Sequence, residues 1–255
     1  MPFVDTHVHF HFPDFDSDRA EAIARSKASG VTTFINVGTD VESSRKSMSL
    51  AEADTAFYAT AGIHPHDAKD ATPEALNEIE RLLHHPRMVA IGEVGLDFFR
   101  NLSPAEKQIE VLRSFFAMQR RTGKPLVIHC RDAYEKLIEM VMEELKPPVS
   151  GVMHCYSSDK AVMSRLIDLG FYISFAGPLT YKKNDALREA CAACPLERLL
   201  FETDAPFLAP QRMRGKRNES AYLLETAKVA ADLHGISIDE LGEKTTVNAR
   251  KLFRL

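Results

Sequence analysis

Short runs rich in Val, Ile, Phe and Leu recur along the chain, each bounded by Gly, Pro, Asp or Ser. Between them lie longer stretches whose apolar residues return at helical spacing. The runs are FVDTHVHF (3–10), VTTFINVGT (31–39), AFYATAGIH (56–64), MVAIGEVGLD (88–97), PLVIHCRD (125–132), VSGVMHCYS (149–157), FYISFAGPL (171–179) and RLLFETDAP (198–206). The intervening stretches carry helix signals. DSDRAEAIARSKASG opens on an Asp or Ser cap and closes at Gly30, TPEALNEIERLLHHP sets Thr72 at the cap and Pro73 behind it, and SPAEKQIEVLRSFFAMQRRTG begins with Ser103, Pro104 and Glu106. DVESSRKSMSLAEAD has the weakest helical pattern. Strand and helix alternating eight times imply right-handed parallel crossovers, and eight such units in 255 residues close most simply into a single α/β (β/α)8 TIM barrel spanning residues 1–255. The competing open sheet would carry a glycine-rich phosphate loop after its first strand, and HFHFPDF is nothing like one. The last stretch, SIDELGEKTTVNARKLFRL, offers Ile238, Leu241, Val247 and Leu252 for packing against the barrel bottom or side.

The bulk properties narrow the setting. No apolar run reaches the roughly 18 residues that span a bilayer, and the first residues lack the basic-then-apolar pattern of a signal peptide, which points to a cytoplasmic protein without membrane attachment. No obligate protein partner is indicated. Cys130, Cys155 and the Cys191–Cys194 pair read as packing residues, since no second C-x-x-C pair accompanies them. A net charge of −4 argues against nonspecific coating of nucleic acid, which draws on many Lys and Arg contacts to phosphate, but leaves room for a locally basic site.

The chemistry lies in the polar residues inside the apolar runs. Strand alternation sets His7 and His9 on one face, with Val4, Thr6 and Val8 on the other. His11 shares the parity but precedes Pro13, which ends the strand, so it is assigned to the loop. Glu93, His129, His154 and Asp204 each stand near the C-terminal end of their run, the end where barrels place their active sites. Two unpartnered imidazoles aimed into a core would be costly, so convergence of these six groups predicts bound cations. Four imidazoles and two carboxylates suit Zn, Mn, Fe or Co better than Mg, although the identity stays open among all five. Six donors exceed the three that one catalytic ion needs, so two divalent metal ions are expected, bridged by Glu93.

The motifs DTHVH, GIHPH, GEVGLDFF, IHCRD, MHCYS, ETDAP and RGKRNE, in this order, resemble those of the TatD-type metal-dependent deoxyribonucleases, a branch of the amidohydrolase-like barrels. The resemblance covers essentially the whole chain. It implies a first metal held by His7, His9, Glu93 and Asp204, a second held by Glu93, His129 and His154, and 3′-to-5′ phosphodiester hydrolysis with DNA as substrate. The chain departs from the family's usual RGKRNEP at Ser220. On this reading Asp204 is the base that orients and deprotonates water. Arg131, Arg214 and Arg217, with Lys182, Lys183, Arg212 and Lys216, are candidates for phosphate contact, and His64 and His66 for substrate contact. Asp5 is expected to support His7, and Asp97 to hold a loop. Tyr156 and Phe98 could stack on a base, and His84, His85 and His234 read as surface or helix-end residues. The alternative is an amide or ester hydrolase on the same barrel, for example on a cyclic amide, lactone or aminoacyl ester. A noncatalytic metal-binding scaffold is a third reading.

Overall fold

The alternation predicted from the sequence is realised in full. The computed structural model describes residues 2–255 and places eight strands in one parallel sheet, in chain order: β1 Phe3–Val8, β2 Val31–Val37, β3 Phe57–Ala61, β4 Met88–Asp97, β5 Leu126–Arg131, β6 Gly151–Met153, β7 Tyr172–Phe175 and β8 Leu199–Phe201. The ring closes where Val8 bridges Ala205 in parallel and the His9 amide donates to the Ala205 carbonyl at 2.8 Å. Helices α1 Arg19–Ala28, α2 Val41–Ala53, α3 Pro73–Leu82, α4 Ala105–Thr122, α5 Tyr134–Glu144, α6 Lys160–Asp168, α7 Asp185–Ala193 and α8 Leu223–His234 follow the strands in turn, and α9 Ile238–Phe253 ends the chain. No helix among the described residues is long and apolar enough to cross a membrane.

Local chemistry accounts for the helix boundaries. Thr72, Asp159 and Ser237 accept a backbone N–H in the first turn of α3, α6 and α9. The weakest pattern in the sequence still makes a 13-residue helix, α2, because Asp40 and Ser43 form a reciprocal capping box. Its buried face is built from Ser43, Ser44, Ser47 and Ala51, which explains why no apolar stripe announces it. Ser103 does not cap α4 as expected. Pro104 takes that position, and the Ser103 hydroxyl instead donates to the His66 carbonyl while accepting from the Lys69 amide.

The barrel interior is filled below the site. Val4, Ile35, Val89, Val127, Val152, Tyr172 and Leu200 form one buried layer, and Ala249, Leu252 and Phe253 of α9 close it from beneath. Full burial of Leu252 and Phe253 is worth roughly 1.5–3 kcal/mol each. Val247, expected on the packed face of α9, is 63% exposed and lies on the opposite side.

One expectation about β1 fails in an instructive way. Simple alternation sets Thr6 on the face opposite His7, yet its hydroxyl reaches Ser174 on β7, two strands away, and donates to the Phe201 carbonyl. Only the barrel interior allows that contact. The pairing of β1 with β2 shifts register between Asp5 and Val8, so regular alternation lapses there and Thr6 and His7 both turn inward.

Candidate metal centre

Six side chains named from the sequence meet at the C-terminal mouth of the barrel. His7 Nε2 lies 3.1 Å from His9 Nε2 and 3.3 Å from Glu93 Oε2. Asp204 Oδ1 is 3.6 Å from His7 Nε2 and 3.4 Å from His9 Nε2. The other oxygen of Glu93, Oε1, stands 3.1 Å from His129 Nδ1 and 2.9 Å from His154 Nε2, and those two nitrogens are 3.3 Å apart. His64 Nε2 approaches the same oxygen at 3.3 Å. Donors about 2.1 Å from a tetrahedral cation are spaced by about 3.4 Å, so both groups have the separations a divalent ion requires.

The hydrogen bonds on the far side of the rings support that fit. His9 Nδ1 faces the Val37 carbonyl at 2.8 Å; a carbonyl only accepts, so Nδ1 carries the proton and Nε2 keeps its lone pair toward the cage. Glu202 does the same for His154 through Nδ1 at 3.0 Å, and Asp97 for His129 through Nε2 at 3.1 Å. In three of four rings the tautomer that can ligate a cation is thus fixed from behind. His7 Nδ1 is buried without a protein partner.

Electrostatics keep the acids ionised. Burial would raise Glu93, but the imidazoles of His154, His64, His7 and His129 overcome it and hold the carboxyl well below the usual range. Asp204 is likewise lowered, its burial outweighed by the His9 hydrogen bond and the nearby rings. Burial pushes His64 down to about 4, so it is neutral near pH 7.

The β8 turn that carries Asp204 is fastened at several points. Asp204 has φ +57°, a left-handed conformation that Asp tolerates better than most residues. Its amide donates to the His7 carbonyl at 2.9 Å. Buried Asn218 donates to the carbonyls of Thr203 and Phe207 at 2.8 and 2.6 Å. Asp5 accepts from the Thr203 amide and hydroxyl, the Ser220 hydroxyl and the His7 amide, and burial pushes it up to about 7 against those donors. Asp5 therefore steadies the backbone around His7 rather than its ring. Ser220, the departure noted in the sequence, supplies one of these bonds at 2.6 Å.

Arg214 and Arg217 of the basic stretch after β8 lie outside the lining of the cleft. Arg217 is bound by Asp18 at 2.6 and 2.9 Å and lies over Phe15, and Arg214 lies over Tyr181; neither borders the cleft. Arg131 does border it, together with Arg100, which the sequence reading missed. His64 and His66 also line the cleft, and His66 Nε2 is 2.9 Å from Asp97 Oδ2. Asp97 thus supports two rings as well as holding its loop through the Arg100 amide. His11 lies in the turn as expected but is buried, its Nδ1 accepting from Asn36 at 2.9 Å. Tyr156 is a core residue and Phe98 packs against the core. The most consequential omission is Glu202, just past the end of β8; a second carboxylate in the same ETDAP stretch as Asp204 was the available signal.

Glu202→Gln keeps the shape but removes the charge behind His154. Cation affinity should fall about 10- to 100-fold, and further in Glu202→Ala. Titration against a chelating dye measures this, and an unchanged affinity in both variants would assign Glu202 a packing role only.

Comparison with known proteins finds similarity along the whole chain. Residues 4–254 match the family model described as TatD related DNase. The chain is 39% identical over 251 residues to YabD of Bacillus subtilis, an uncharacterized metal-dependent hydrolase, with 98% of each covered. It is 34% identical over 257 residues to the 3′-5′ ssDNA/RNA exonuclease TatD of Erwinia billingiae, again with 98% of each covered. The crystal structure of YJJV, a TatD homolog from Escherichia coli K12, superposes with a TM-score of 0.94 at 29% identity, covering 99% of this chain and 98% of that one.

Proposed function

The chain belongs to the TatD related DNase family of metal-dependent hydrolases, and from that premise we propose that it shortens DNA from the 3′ end by hydrolysing phosphodiester bonds with two divalent cations. The observation that supports this reading most is the division of Glu93, one oxygen facing His7 and His9 and the other facing His129 and His154. Cations held by those two sets would supply Lewis-acid activation of water and neutralise charge on the phosphate. Asp204, held as the anion beside His9, orients the water and accepts its proton. Arg100 and Arg131 at the cleft mouth offer charge to phosphate oxygens that do not react. The name of the Erwinia relative, a 3′-5′ ssDNA/RNA exonuclease, favours a nucleic-acid strand over an amide or lactone.

A substrate panel tests the reading. End-labelled single-stranded DNA, RNA, a phosphodiester reporter and an ester reporter are assayed with Mn²⁺, Mg²⁺ and Zn²⁺, and after chelation. DNA should be shortened stepwise from its 3′ end, and turnover should vanish with chelator and return with added cation. Ester turnover far above DNA turnover would replace this reading with the ester-hydrolase one.

A further inference from the structure

Two walls of opposite character face each other across the cleft. Phe12 after β1, Pro178 after β7, and Phe207 and Leu208 after β8 form one; Arg100 after β4 and Arg131 at the end of β5 belong to the other. In a ring of eight strands, β8 and β1 stand opposite β4 and β5, so the width of the barrel separates the walls and the metal centre lies on the floor between them. Phe207 is 49% exposed and Leu208 39% exposed. Asn218 and the Asp204 carbonyl fasten this loop through its backbone, and the half-exposed Phe207 ring also stands edge-on to His9, with centroids 6.3 Å apart, which sets it directly beside the metal-ligand candidates. The Phe207 ring stands edge-on to Phe12, with centroids 5.8 Å apart. On the opposite wall Arg131 lies over Phe99, 3.8 Å from the ring centroid.

We propose that the apolar wall, centred on Phe207, is a stacking platform for the unpaired base at the strand end being cleaved, while Arg100 and Arg131 take phosphates of the strand opposite; this rests on the nuclease reading above. A nucleotide is itself two-sided, with an apolar face on the base and an anionic backbone, and the cleft separates those properties in the same way. Its volume of about 610 Å³ is in the range of sites that enclose one small ligand, a nucleotide rather than a duplex end. A base paired to a complement is stacked in its duplex and has no free face to lay on Phe207. The platform therefore selects unpaired ends through contact with the base rather than with the sugar.

The test crosses one residue with one base. Binding, by fluorescence anisotropy, and cleavage, with Mn²⁺, are measured for a single-stranded oligonucleotide and for the same strand lacking only its 3′-terminal base, using the full chain and its variants Phe207→Ala and Phe207→Trp. Wild type should prefer the complete strand by about 10-fold or more. Phe207→Ala should treat both alike within about twofold, and Phe207→Trp should keep the preference, which separates a lost platform from a misfolded loop. A wild type indifferent to the terminal base, or a Phe207→Ala protein that keeps the full preference, overturns the platform while leaving the nuclease reading intact. Failure to bind or cut either strand overturns both.

Discussion

Glu93→Gln lowers metal-dependent turnover by more than about 100-fold and leaves at most one tightly bound cation per chain. Replacing groups that merely orient a ligand costs about 10- to 100-fold, and Glu93 faces both donor sets directly. The amide presents one oxygen and one NH₂, so whichever way it turns, the cation at one donor set would face an NH₂ that has no lone pair to ligate it, and the bridge loses its negative charge. Metal content after dialysis, read by mass spectrometry beside steady-state kinetics, measures both effects. A Glu93→Gln protein that retained two cations and wild-type turnover would remove the carboxylate bridge from the mechanism.

Gly95→Ala is the second large effect, and it acts on stability. A Cβ at this position would sit 1.9 Å from the His129 carbonyl oxygen and 2.8 Å from its carbon, and the residue has φ +147°, which an L side chain rarely adopts. Relief requires β4 and β5 to separate at the level of the metal centre, where Gly95 pairs with His129. A loss of about 4 kcal/mol or more is expected. For a chain of this size that lowers Tm by about 8–16 °C. Calorimetry of metal-free protein isolates the backbone clash from any loss of cation binding, and a shift of less than a few degrees would show that the strand pair yields cheaply.

The barrel and the metal-ligand candidates are legible in the sequence because each rests on short-range rules: a run of β-branched and aromatic residues makes a strand, and a polar residue near its C-terminal end arrives at the barrel mouth. His129 needs nothing more, whereas His7 and Glu93 stand at register shifts in β1 and β4. What stays hidden depends on pairings between distant segments. Glu202 lies 48 residues from the ring it supports. Arg217 is paired with Asp18, 199 residues earlier, which no local pattern shows. Thr6 is misplaced by simple alternation because a register shift leaves no mark in composition. The apolar wall is hidden for a related reason: nothing in the sequence shows that Phe207 and Leu208 stand exposed.

Because Leu252, Phe253 and the layer of side chains above them seal the barrel from below, the cleft is a dead end rather than a passage. Nothing can be threaded through it. Whatever bond is cut on the floor, neither product can leave along the barrel axis, so both depart at the same mouth at which the substrate arrives. Each round of cleavage is coupled to clearance of that one doorway, and a product that lingers against its walls obstructs the next arrival.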